Sequence, residues 1–261
     1  MVNAVSTSIG RPYDCVVEQY GPETYGERVA DVYDEWYSSL PDGKEEAAFL
    51  AELANPGPAL ELGIGTGRVA LPLAELGVAL SGIDASPSIV AQMRAKPGGD
   101  AISITVGDMA DVAVDGRFSL VYVVFNTFFM LTTAEAQARC FRNVAARLAP
   151  GGRFVVHAFV PDQSLIDQGE RVAVKDVGVD EVRLDATKFF RQEQRLDTTQ
   201  IRITEQGIRL VHAKVRYTFP SELDEMAERA GLTLEARYGG FTKEPFTDES
   251  TFHVSVYRTM P

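Results

Sequence analysis

Residues 59–68 read ALELGIGTGR, and they carry the first spacing in the chain that could do chemistry. A short apolar run suited to a buried parallel strand leads into Gly63, Gly65 and Gly67 at alternate positions. A helical pattern of Val69, Leu71, Leu73 and Leu76 follows. Strand, glycine turn and helix open a nucleotide-binding βαβ unit. Glycine suits such a turn because a residue without Cβ takes positive φ and lets a ligand reach the backbone. The third glycine comes one residue too early for G-x-G-x-x-G, whose helix N-terminus holds a pyrophosphate. Instead, carboxylates recur at strand ends. Glu61 sits on the first strand, Asp84 ends the second apolar run (78–83), and Asp108 follows the third (101–106) within Gly107-Asp108-Met109. Three such acceptors suit a ligand that offers an ammonium, a ribose diol and an adenine amine but no phosphate.

S-adenosylmethionine (SAM) carries those groups. Four segments resemble, in order and spacing, the motifs of the class I SAM-dependent methyltransferases: Glu61-Leu-Gly-Ile-Gly-Thr-Gly67, Gly82-Ile-Asp84-Ala-Ser86, Gly107-Asp108-Met109 and Leu148-Ala-Pro-Gly-Gly152. The resemblance implies SAM as cofactor and an α/β fold. That fold is a Rossmann-like, seven-stranded, mostly parallel sheet with helices on both faces and an antiparallel last strand. It also implies roles. Asp84, with Ala85 beside it, accepts from the ribose hydroxyls, and Asp108 accepts from the adenine amine while Met109 packs on the ring or donates its backbone N–H. Glu61 orients the turn and the methionine ammonium, and Gly63, Gly65 and Gly67 bring backbone to the cofactor. Val32-Tyr33-Asp34-Glu35-Trp36-Tyr37 is similar to a V-Y-D-x-x-Y pattern of small-molecule members, amino-sugar N-methyltransferases among them. There the first tyrosine reaches the methionine end, a role that falls to Tyr33. Arg68 is expected to point to solvent.

Methyl transfer is an in-line displacement that proximity and orientation accelerate. A general base helps when the nucleophile holds its proton tightly, as a hydroxyl does. Of the three histidines, His157 lies toward the carboxyl end of the fifth strand and is the candidate base. His212 and Tyr217 are acceptor-side candidates, with Arg191 and Arg216 as further pocket candidates, and His253 reads as structural. Neither metal-ligand spacing nor a nucleophile triad is present.

The elements that must position these groups follow in order. Residues 1–20 read as poorly structured. Residues 25–40 carry Val29, Val32, Tyr33, Trp36, Tyr37 and Leu40 at helical spacing, and 44–54 form a second helix. Ser86 is a fit N-cap and Pro87 a fit first helical residue. The apolar run 118–125 suits a central parallel strand, and strand ends bind ligands in open α/β sheets, so Phe125 and Asn126 belong beside the cofactor. A helix over 133–148 and a strand over 153–160 come next. Five segments then alternate like strands: 172–177, 182–189, 193–199, 200–205 and 208–218. They form an inserted antiparallel β cover over the active site, with an oligomerisation surface as the alternative. A helix over 220–230 stops at Gly231, and strands at 232–238 and 252–258 complete the core. The expected division is 1–57 N-terminal segment and helical lid, 58–160 cofactor-binding core, 161–219 cover, and 220–261 return to the core.

Composition sets the remaining bounds. The 261 residues carry a net charge of −12, which argues against nucleic acid, and no run of 18 apolar residues suggests a membrane span. The N-terminus lacks a secretory pattern, so a cytoplasmic location is expected. Cys15 and Cys140 are no disulfide framework, and Cys140 reads as a small buried residue. The chain is therefore expected to be an enzyme that methylates N or O of a small-molecule acceptor, a natural-product or sugar intermediate, and a homodimer is an open expectation. The alternatives are a SAM-binding protein that transfers no methyl group, as a cyclase or regulatory module, and, disfavoured by the glycine spacing, an NAD-dependent dehydrogenase.

Overall fold

The computed structural model describes residues 20–54 and 56–259. The reading of residues 1–19, and Cys15 with it, lies outside the described residues. Three helices come first: α1 (Thr24–Val29), α2 (Tyr33–Trp36) and α3 (Lys44–Ala54). The core begins with β1 (Ala59–Leu62), α4 (Ala70–Glu75), β2 (Leu80–Asp84), α5 (Pro87–Arg94) and β3 (Ser103–Val106). It continues with β4 (Phe118–Val123), α6 (Ala134–Arg147) and β5 (Leu148–Phe159). After α7 (Gln163–Gln168) come β6 (Glu170–Val177), β7 (Glu181–Phe190), β8 (Arg195–Thr204) and β9 (Gly207–Arg216). Finally, α8 (Pro220–Arg229), β10 (Leu232–Tyr238) and β11 (Phe252–Thr259) return to the core.

The core sheet is seven-stranded in the order β10-β11-β5-β4-β1-β2-β3. Pairs among β1 to β5 are parallel, and β11 runs antiparallel to both β5 and β10. From β1 the chain builds outward through β2 and β3, then crosses back to β4 on the other side. Connections therefore diverge at the carboxyl ends of β1 and β4, which opens a crevice there. Strand alternation feeds two cores. Val121 and Val123 pack with Cys140, Phe141 and Val144 of α6, while Leu120 and Tyr122 pack with Phe49, Leu50 and Ala54 of α3. Burial on both faces explains the near-continuous apolar runs of β1 and β4. Local signals set the helix starts: Ser86 Oγ accepts from Ile89 N at 3.2 Å, and Thr133 Oγ1 accepts from Ala136 N at 3.1 Å.

Two expectations from the sequence need correction. Residues 25–40 form two short helices, not one. A continuous helix would bond Val32 N to the Arg28 carbonyl; here Arg209 Nη2 donates to that carbonyl at 2.8 Å and Val32 N turns to Val29 O. The insert has four strands, not five, because 193–199 and 200–205 are one strand. No turn residue separates Thr199 from Gln200, and the β8–β9 register runs unbroken from Arg195↔Arg216 to Thr204↔Gly207. The helix α7, capped by Asp162 Oδ1 accepting from Ser164 N at 2.8 Å, was not expected.

Candidate active site

Every strand of the parallel half ends at one cavity of about 520 Å³, within the range of small-molecule sites. Its floor starts at the glycine turn. Gly63 and Gly65 have φ of +68° and +59°, and both line the cavity. A Cβ added at Gly63 would lie 2.3 Å from Thr127 Cγ2, whereas one at Gly65 would meet nothing nearer than Gly63 O at 3.9 Å. The open side of Gly65 is the cavity. Asp84 fixes this turn: its Oδ2 accepts from Gly65 N and its Oδ1 from Ser86 N, each at 2.9 Å. Burial raises the Asp84 pKa, opposed by those N–H groups. Ala85, Asp108 and Met109 complete this edge. Asp108 Oδ1 accepts from Ala110 N at 2.8 Å, and Arg139 Nη2 stands 3.3 Å from Oδ2.

After β4 the backbone is strained. Phe125 and Asn126 have φ of +55° and +66°, consecutive non-glycine residues in the left-handed region, a conformation that persists only where surroundings impose it. Here β5 imposes it. Phe125 N donates to His157 Nδ1 and Asn126 N to His157 O, both at 3.1 Å, while Phe159 N donates to Asn126 Oδ1 at 2.7 Å. Both residues thereby face the cavity.

The roof comes from the N-terminal helices and the insert. Tyr20, Tyr25, Tyr33 and Tyr37 line it together with Lys175, Asp185, Thr198 and Gln200 of the inserted sheet. Tyr37 packs tilted against Tyr33, at 4.7 Å between ring centroids, and edge-to-face against Phe125, at 5.6 Å. The Tyr25 and Tyr37 hydroxyls lie 2.7 Å apart, and Gln200 Nε2 donates to Tyr37 at 2.9 Å. Arg202 reaches Glu35 at 2.6 Å, Arg209 reaches Asp31 at 2.6 Å and Arg183 Nη1 donates to Trp36 O at 2.8 Å. These ties dock the insert on the two helices.

Several site expectations fall elsewhere. His157 does not line the cavity: its ring packs on Phe241 and Phe252 at 4.8 and 5.4 Å, its Nδ1 is occupied, and burial lowers its pKa to about 4. His212 points from the other face of β9, since Ala213 and Val215 hold the inward positions, and its Nδ1 lies 3.3 Å from Thr199 Oγ1. Tyr217 is buried in the α6–α8 core beside Phe219. Gly67 takes φ +82° to pack against Met93 and Leu71, away from the cavity. Glu61 lies behind the turn, buried, where its Oε2 accepts from the Tyr122 hydroxyl at 2.9 Å; burial pushes its pKa up to about 8. Arg68 is not solvent-directed: it donates to Glu46 at 2.6 Å and stands 5.5 Å from the Phe125 ring. Arg191 pairs with Asp167 at an exposed site, and Arg216 bonds Gln137, Thr218 and Gln194. The roof residues Tyr25, Tyr37, Lys175, Asp185, Thr198 and Gln200 went unnamed in the sequence as site residues. Inward alternation along β7 and β8 is the signal that finds the last three, once one face is known to look at the cavity.

Strand order, a crevice at the β1/β4 divergence and a carboxylate-lined edge make this a ligand site of the nucleoside-binding α/β type. Residues 59–152 match a family described as methyltransferase domain. The CcbJ methyltransferase from Streptomyces caelestis has a TM-score of 0.86 at 39% identity, over 93% of this chain and 100% of that one. The cypemycin N-terminal methyltransferase of a Streptomyces species is 26% identical over 235 residues, 88% of this chain and 95% of that protein. SAM-bound CalS10, an amino pentose methyltransferase from Micromonospora echinaspora, shares the fold at TM-score 0.67 and 21% identity, over 88% of this chain and 97% of that one. This chain belongs to the class I SAM-dependent methyltransferases, with SAM as its methyl donor. The open flank of Gly65 and the acidic edge fit that cationic, phosphate-free nucleoside.

Two outcomes follow from this geometry. Gly65→Val fills the open side of the turn, so the folded variant loses binding of S-adenosylhomocysteine in calorimetry; wild-type affinity would mean that the turn does not meet the cofactor. Glu61 bears on stability without ligand. Its folded pKa of about 8 lies above the ordinary 4.5, so the folded state keeps a proton that the unfolded state gives up. Its contribution is full below about pH 4.5 and is lost as pH rises to about 8. Urea unfolding across that window should show a smaller decline for Glu61→Gln than for wild type; equal declines would contradict the buried neutral carboxyl.

Proposed function

We propose that this enzyme methylates the nitrogen of a small amine of natural-product or amino-sugar type. The observation that carries the reading is the charge on the cavity wall: among the described residues, the carboxylates Asp84, Asp108 and Asp185 stand against the ammonium of Lys175, around the rings of Tyr25, Tyr33, Tyr37 and Phe125. An electronegative, aromatic-lined space attracts cations, and both a sulfonium and an acceptor ammonium are cations. The relatives' names agree in direction. One is the cypemycin N-terminal methyltransferase, another is KedS8, a sugar N-methyltransferase.

In this reading Asp84 receives the ribose hydroxyls. A carboxylate has about four acceptor positions, and the N–H groups of Gly65, Ser86 and Ala85 do not fill them all. Asp108 receives the adenine amine, Met109 packs on the base, and Tyr33 closes on the methionine end. Bound SAM supplies an electrophilic methyl group on sulfur. The chain supplies orientation, through the rigid Phe125-Asn126 corner, and exclusion of water, through the tyrosine roof. Among the described residues no histidine stands on the wall. A wall without histidine suits an amine, which can give its ammonium proton to water before the transfer and so meet the sulfonium with a free lone pair, better than a hydroxyl, which holds its proton far more tightly.

Mass spectrometry and NMR of products from a panel of amino sugars and cyclic amines test the proposal. The expected outcome is an N-methyl product with one equivalent of S-adenosylhomocysteine. Methyl groups found only on oxygen would overturn it.

A further inference from the structure

The insert carries a charge that the cofactor edge does not require. Asp185 on β7 pairs directly with Gln200 on β8, so the two side chains share the face that looks into the cavity. Gln200 in turn holds Tyr37, and the Tyr37 ring rests on Phe125 at the end of β4. A row of neighbouring residues thus runs from the strained corner of the core through Tyr37 and Gln200 to the strand position beside Asp185. Thr198, whose hydroxyl lies 3.0 Å from that of Thr187, lines the wall beside it.

The three cavity carboxylates differ in what they already hold. Asp84 is held by the backbone N–H groups of Gly65, Ser86 and Ala85, and Asp108 by that of Ala110. Among the described residues no backbone N–H donates to Asp185. Its ion-pair partner is Lys175, with Nζ 3.7 Å from Oδ2, longer than a hydrogen bond. The Lys175 side chain is 57% exposed and that of Asp185 only 22%, so the lysine can keep its hydration while the carboxylate has lost much of its own. Burial raises the Asp185 pKa, opposed by Lys175, Arg171 and Arg183. Arg183 is committed elsewhere, to Trp36 O and Asp176. A half-desolvated carboxylate with one long, exchangeable ion pair is a ready acceptor for an incoming cation.

We propose that Asp185 is the specificity-determining carboxylate that binds the ammonium of the methyl acceptor, with Lys175 giving way to it. The inference rests on the amine reading above and adds to it the residue that selects the amine. It also gives the insert a role in acceptor choice that the cofactor edge, shared by enzymes with different acceptors, cannot fill.

The test measures binding to the full chain saturated with S-adenosylhomocysteine, by ligand-observed NMR. The probes are cyclohexylamine, its neutral counterpart cyclohexanol, and cyclohexanecarboxylate. Wild type should bind the amine about tenfold or more tightly than the alcohol, as a charge-assisted hydrogen bond to a half-buried carboxylate provides. Asp185→Asn should erase that preference and leave S-adenosylhomocysteine affinity unchanged, Asp185→Glu should keep it, and Lys175→Ala should raise amine affinity. The proposal is overturned if wild type does not distinguish amine from alcohol, or if the preference survives in Asp185→Asn. It is equally overturned if the carboxylate binds best and loses its affinity in Lys175→Ala. Should Asp185→Asn fail to fold, Lys175→Ala decides: unchanged or weaker amine binding counts against the role. The two proposals fail separately. Methylation on oxygen with an Asp185-dependent amine preference would remove the N-methylation reading alone. N-methyl product from Asp185→Asn at wild-type KM would remove the Asp185 role alone.

Discussion

Asp84 accepts hydrogen bonds from Gly65 and Ser86, and this one carboxylate joins the end of β2 to the turn after β1 and to the start of α5. The remaining site geometry is referred to that point. With the turn held at positive φ, the backbone of Gly63 and Gly65 forms the floor and leaves the flank of Gly65 open. With α5 started at Ser86, Glu27 of α1 can receive the Ser86 and Ser88 hydroxyls, each at 2.6 Å, and α1 is brought over the cavity. The cofactor edge and the roof are therefore built from the same few bonds.

A second constraint lies across the crevice. The Phe125-Asn126 corner adopts a conformation that such side chains rarely take, and His157 holds it through both its ring nitrogen and its carbonyl. This explains how a histidine at the ligand edge of β5 can be important without being a base. Its Nδ1 is consumed by the Phe125 N–H, and its ring is enclosed by Phe241 and Phe252. The corner presents Phe125 to Tyr37, Tyr37 to Gln200, and Gln200 belongs to the insert. Core, N-terminal helices and insert meet in that aromatic and amide contact.

Much of this was legible in the sequence because it depended on local chemistry. The glycine turn, the three strand-end acids and the Ser86-Pro87 helix start are each fixed within a few residues, and each has its counterpart in the structure. What failed depended on partners far along the chain. Nothing near residues 28–32 shows that Arg209 will take the Arg28 carbonyl and divide the helix. Nothing near His212 tells which face of β9 turns inward, and a register shift of one residue reverses it. Glu61 looked like a ligand for the cofactor's ammonium; burial behind the turn and the bond to Tyr122 make it a supporting group instead. Asp185 was invisible because an acid within an alternating strand reads as a solvated side chain until the sheet is seen to roof a cavity.

The dependence of the site on Asp84 can be measured most directly by calorimetry of S-adenosylhomocysteine binding to Asp84→Ala, with the fold checked by circular dichroism. Loss of a half-buried charged acceptor, and with it of the restraint on Gly65, should weaken binding by about ten- to a hundredfold in a folded protein. Wild-type affinity in folded Asp84→Ala would contradict the claim that this carboxylate organises the cofactor edge.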